Sequence, residues 1–116
     1  MKKLLGVAST TAAVVAAGMF AAPPASASNQ SDCIALKLVC VWSNTNFSGN
    51  TFTANSNWGG SCKNSLVVGN SVAQGRGAII RFYSKDNCTG SYFDIKVNNY
   101  SSKTPFAVHS FQVKPI

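Results

Sequence analysis

The sequence predicts an all-β protein: an antiparallel sandwich of two Greek-key motifs, about eight short strands in all, stabilised by disulfides. Three observations predict it. The stretch VWSNTNFSGNTF, Val41 to Phe52, recurs as FYSKDNCTGSYF, Phe82 to Phe93, at an offset of 41 residues. That places Ser43 on Ser84, Asn46 on Asn87, Gly49 on Gly90 and the aromatic Trp42 on the aromatic Tyr83, as expected of a supersecondary unit used twice. Past the first 27 residues the composition is Ser, Asn, Thr, Gly and aromatic, with no helical period across eleven or more residues. Four cysteines, Cys33, Cys40, Cys62 and Cys88, complete the pattern.

The N-terminus reads as a secretory leader. Lys2 and Lys3 precede an uncharged run from Leu4 to Ala22, and Ala25-Ser26-Ala27 is a small-residue cleavage pattern. Residues 1–27 are therefore expected to be removed. The remaining residues 28–116 then form a single exported domain, its first repeat about 36–75 and its second about 77–116. No later segment is long and apolar enough to span a bilayer, so no membrane insertion is expected after cleavage.

In order, Ser28 to Asp32 is polar and expected to fray, and Leu36 to Ser43 reads as a strand with Leu36, Leu38, Cys40 and Trp42 on one parity. Asn44 to Gly49 is a turn whose glycine supplies positive φ, and Asn50 to Ala54 is the returning strand. Asn55 to Asn64 is a long excursion around Trp58, followed by the apolar Leu66 to Val68. Gly75-Arg76-Gly77 makes the junction between repeats. The second copy then retraces the path: strand from Ala78 to Tyr83, turn from Ser84 to Gly90, strand from Ser91 to Val97, loop from Asn98 to Thr104, and a closing strand from Phe106 to Val113.

In an oxidising compartment four cysteines in so short a chain imply two disulfides with three possible connectivities. The pairing adopted is Cys33 with Cys40, closing a small loop before the first motif, and Cys62 with Cys88, tying one repeat to the other. On the chain-entropy model these loops are worth about 2.5 and about 3.5 kcal/mol. Zinc is not expected: there is no C-x-x-C, and His109 is the sole histidine.

The chemical inventory argues against an enzyme. Residues 28–116 hold one His, no Glu, and Asp32, Asp86 and Asp94 as isolated acids, with no G-x-S-x-G around any serine. Eight basic residues (Lys37, Lys63, Arg76, Arg81, Lys85, Lys96, Lys103, Lys114) leave a net +5, yet they stand singly rather than in runs. That is the pattern of a solvated surface, not of a nucleic-acid interface. Trp58 has two readings, a partner-binding anchor or a lid over the open end of the sandwich. The Asn46, Asn87 and Asn99 glycosylation-type triplets are discounted, since two follow from the repeat.

Trp42-x4-Phe47-x-Gly49 and Tyr83-x4-Cys88-x-Gly90 resemble the aromatic, aromatic, glycine signature of βγ-crystallin Greek keys, with Cys88 in place of the second aromatic. Ser71 and Ser110 resemble the serine that enters each crystallin motif's last strand. With a leader and a Cys-x6-Cys run before the first aromatic strand, the chain is similar to the secreted bacterial peptidase inhibitors of the actinobacterial metalloproteinase-inhibitor family. The resemblance implies a monomeric, cofactor-free inhibitor that occludes an extracellular metalloprotease in substrate-like fashion. Candidate contact loops are Asn55 to Ser61, Gly75 to Gly77 and Ser84 to Thr89, with Trp58, Arg76, Lys85 and Asp86 as their prominent side chains. The family's reactive segment matches Ile79 to Cys88, which holds one cysteine rather than a local pair. The paired Asn/Asp of crystallin calcium sites is replaced by Leu66-Val67 and Pro105-Phe106, so no metal is expected. The other reading is an extracellular βγ-crystallin module that binds cell surfaces through its basic face, in stress resistance or antimicrobial action, without inhibiting proteases.

Overall fold

The structure, a computed structural model, describes residues 29–115; the predicted leader lies outside them. Among the described residues there are eight strands and two short helical segments, in the order α1 (Gln30–Ala35), β1 (Val39–Trp42), β2 (Thr51–Ala54), a 3-10 turn (Ser56–Trp58), β3 (Lys63–Gly69), β4 (Ser71–Gln74), β5 (Ile80–Lys85), β6 (Thr89–Ile95), β7 (Asn99–Ser101) and β8 (Val108–Val113). They form two four-stranded antiparallel sheets, ordered β2-β1-β4-β7 and β3-β8-β5-β6.

The two repeats build these sheets in matching register. Cys40 lies between Thr53 and Ala73, and its counterpart Arg81 lies between Asp94 and Gln112. Each repeat contributes its first, second and fourth strands to one sheet and lends its third strand to the other. β3 thus pairs with β8 of the second repeat, and β7 pairs with β4 of the first. Neither sheet can be completed by one repeat alone.

Alternation then sorts the side chains. Val39, Val41, Ala54 and Val72 from one sheet meet Ile80, Phe82, Ile95, Val108 and Phe111 from the other in a shared core. Phe82 stacks on Phe93, and Phe52 and Phe82 tilt onto Phe111 at ring separations of 6.3 and 5.6 Å. All four residues of β1 are buried, because this sheet is covered on its outer side too. There Cys33, Leu38, Cys40, Trp42 and Ala73 form a second cluster beneath α1.

That helix replaces the frayed N-terminus expected from the sequence. Asn29 caps it, its side chain accepting from the Asp32 amide at 2.9 Å. Six residues are too few to show a helical period and too few to be stable alone. Tertiary anchoring holds them: Cys33 is disulfide-bonded to Cys40 and fully buried. Leu36 consequently caps the helix and Lys37 turns through φ 58°, so the strand begins at Val39 rather than Leu36. Two further differences are local. Part of the expected loop after Asn98 is strand β7, whose partner β4 lies a repeat away. In β3 the pairing to β8 bulges between Asn64 and Gly69 and turns Leu66 outward, 87% exposed, so the apolar run there is only partly core.

Candidate functional site

Of the candidate contact loops, Ser84 to Thr89 is the second of two hairpin corners with matching backbone. In the first corner Asn46, Phe47 and Gly49 all adopt left-handed backbone, at φ 57°, 59° and 85°. In the second Asn87, Cys88 and Gly90 do the same, at 62°, 55° and 85°. A Cβ on Gly49 would collide with Ser43 Oγ, and one on Gly90 with Ser84 Oγ. Those two hydroxyls are committed to the turn, accepting from the amides of Asn50 at 2.9 Å and Ser91 at 3.0 Å. Glycine is required at both positions by conformation and by space.

Each corner is pinned by a fully buried serine from its repeat's last strand. Ser71 Oγ accepts from the Phe47 amide at 3.0 Å and donates to the Asn44 carbonyl at 2.7 Å. Ser110 Oγ accepts from the Cys88 amide at 2.9 Å and donates to the Lys85 carbonyl at 2.5 Å. Ser48 and Thr89 add matching bonds to the carbonyls of Thr45 and Asp86, at 2.9 and 2.7 Å. The repeat seen in the sequence is thus a repeated hydrogen-bond circuit.

The corners differ in what braces them from outside. Phe47 packs edge-on against Trp42 at 5.2 Å and against Tyr100 of β7 at 5.6 Å. At the equivalent place Cys88 is bonded to Cys62, the residue just before β3. Asn64 reinforces that bridge. Its Oδ1 accepts from the Asn87 amide at 2.7 Å, and its Nδ2 donates to Asn87 Oδ1 at 3.2 Å. Nothing in the sequence singled out Asn64, because its partner is 23 residues away and the pairing is nonlocal.

The four singled-out side chains fall into two groups. Lys85 and Asp86 are exposed at the tip of the second corner. Their carbonyls are both consumed by the fold, through Ser110 and Thr89. The Lys85 and Asp86 carbonyls are therefore engaged within the corner, while their side chains are exposed. Trp58 and Arg76 come together instead at the end of the sandwich. Trp58 packs edge-on against Phe111 at 5.2 Å and donates Nε1–H to the Ser61 carbonyl at 2.8 Å. The Arg76 guanidinium lies over its ring at 5.1 Å and donates to the Asn55 carbonyl at 3.3 Å. Trp58 is half-buried, with its indole packed against the core. Gly75-Arg76-Gly77 is steadied from inside by Gln74, which is fully buried, accepts from the Arg76 amide at 2.7 Å and donates to the carbonyls of Ala78 and Lys96 at 2.9 and 2.8 Å.

The Cys62–Cys88 bridge joins the end of the Trp58 loop to the Lys85 tip, making one covalently connected element of two candidate loops. On the outer face of the same sheet, Arg81 pairs with Asp94 through two bonds of 2.9 and 3.2 Å and lies over the Tyr92 ring at 3.8 Å. Hydrogen bonding to Asp94 raises the Arg81 pKa further above its ordinary value. Tyr83, the counterpart of Trp42, receives a hydrogen bond from Gln112 Nε2 at 2.6 Å. His109 is half-buried with Nδ1 3.3 Å from the Ala107 carbonyl. Among the described residues no enclosed pocket forms and no three metal-binding side chains converge. Comparisons with family models, with curated proteins and with solved structures found no match to this chain.

Proposed function

We propose that this chain is a secreted, non-enzymatic peptidase inhibitor built on a βγ-crystallin-like pair of Greek keys. The fold reading is supported by the exchanged third strands and by two corners sharing one circuit of serine, glycine and left-handed backbone. Two disulfides, and the lack among the described residues of a helix able to cross a membrane, are compatible with an extracellular site of action.

One observation carries the functional reading. The exposed Lys85-Asp86-Asn87 tip is clamped on one side by Ser110 and Thr89 and on the other by Cys62 and Asn64. A protein that blocks a peptidase must offer a protrusion that keeps its shape in the cleft, since ordering a loose loop on binding would cost affinity. The Cys62–Cys88 bridge supplies that brace across the repeats. With the Lys85 and Asp86 carbonyls held by the fold, occlusion proceeds through the surface and side chains of Lys85 and Asp86 rather than through a substrate-like bond at either residue.

The test is an inhibition panel of residues 28–116 against thermolysin-like metalloproteases and subtilisin-like serine proteases. Inhibition of the metalloprotease, with the inhibitor recovered uncut between residues 84 and 90, is the expected result. Absence of inhibition at micromolar concentration across the panel removes the proposal. If the same protein instead binds anionic vesicles or cell-wall material in a salt-sensitive way, the basic-face module is the better account.

A further inference from the structure

We infer that the Cys62–Cys88 bridge is a redox latch: extracellular thiols can open it selectively, releasing the Lys85–Asn87 tip while the sandwich stays folded. The two disulfides sit in opposite surroundings. Cys33 and Cys40 are both 0% exposed beneath α1. Cys62 is exposed and Cys88 only half-buried. Thiol–disulfide exchange needs a thiolate to approach a sulfur in line, so access decides which bridge reacts first.

The chemistry is a two-electron reduction. A dithiol reductant attacks Cys62 Sγ as its thiolate, forming a mixed disulfide and expelling the Cys88 thiolate. The reductant's second thiolate then closes on its own sulfur in the mixed disulfide and frees Cys62. The reductant leaves as a cyclic disulfide, and the two protons its thiols gave up are taken by Cys62 and Cys88.

The consequence follows from the difference between the corners. Opening the bridge leaves the first corner intact, because Phe47 there rests on the rings of Trp42 and Tyr100. At the second corner no ring stands in for Cys88, so Asn87 and Cys88 keep their left-handed backbone through hydrogen bonds alone, chiefly those of Asn64 and Ser110, with Thr89 and Ser84 within the turn. Non-glycine residues do not hold that conformation unless their surroundings impose it. The scaffold strands do not depend on this bridge, since β3 is also paired to β8 at Val108 and Gly69 and β5 to β6 along its length.

The latch itself does not require inhibition, but its role as a regulator of the Lys85 tip rests on the proposed function. The experiment therefore separates the two. Residues 28–116 are treated with graded dithiothreitol under native conditions, trapped with iodoacetamide and mapped by peptide mass spectrometry. Cys62 and Cys88 are expected to be alkylated on the order of tenfold faster than Cys33 and Cys40. In parallel, the Cys62→Ser, Cys88→Ser double variant is examined by circular dichroism and by 15N relaxation. Its sheet signal is expected to persist while order parameters at residues 85–87 fall from about 0.85 toward 0.6. Equal alkylation of all four cysteines, earlier alkylation of Cys33, or an unchanged tip in the double variant overturns the latch. If the latch behaves as expected and reduction leaves protease inhibition intact, the tip is not the inhibitory element, and that failure belongs to the proposed function alone.

Discussion

The first hairpin corner and the second solve one folding problem with different materials. Both bend through left-handed residues, both need a glycine that no Cβ could replace, and both are pinned by a buried serine. The first is then sealed by Trp42, Phe47 and Tyr100, and the second by Cys62, Cys88 and Asn64. Ring packing is insensitive to thiols, and here it buries Trp42. A disulfide needs less apolar surface to hold its corner, and both corners project exposed polar residues, Asn44 to Asn46 in one and Lys85 to Asn87 in the other. The difference shows that one backbone circuit can be sealed by ring packing or by a covalent bridge.

The largest expected effect is at the first corner. Trp42 is almost fully buried, under Phe47 and beside the α1 cluster. Replacing it by Ala is expected to cost about 3–5 kcal/mol, read from denaturant midpoints, and to loosen α1 with it. Removing the second brace by Cys62→Ser with Cys88→Ser is expected to cost about 3.5 kcal/mol on loop entropy alone. A much smaller loss would mean that Asn64 and Ser110 suffice to hold that corner.

The shared pins come next. Ser71→Ala and Ser110→Ala each strip an amide of its acceptor and a carbonyl of its donor. Each is expected to cost about 1–3 kcal/mol, and similar values at both sites would establish the corners as equivalent. A marked inequality breaks that comparison. Smallest is Arg81→Gln on the outer face, expected to lower the denaturant midpoint only slightly because its pair with Asp94 is partly solvated.

The sequence showed the corners clearly because their determinants are local. Ser43, Gly49 and the aromatics lie within a dozen residues and recur at a fixed offset. What escaped it was what depends on distant partners. The α1 helix exists because Cys33 anchors it under tertiary cover, and β7 is a strand because β4 lies beside it. The exchange of third strands joins residues from different repeats and has no local signature. Asn64 was invisible for the same reason, and so was the packing of Trp58 on Phe111.

The candidate site was legible only in part. Lys85 and Asp86 stood out as an exposed turn, and the structure keeps them so. The Lys85 carbonyl had no visible partner in the sequence, because Ser110 lies 25 residues away. That pairing is what moves the proposed contact from a scissile backbone to side chains.

The most direct test of the account compares two amides in one sample. Phe47 and Cys88 each donate to a buried serine, so their hydrogen exchange reports the two corners separately. On mild reduction the account predicts unchanged exchange at Phe47 and acceleration at Cys88. Acceleration of both together, or of neither, would contradict it.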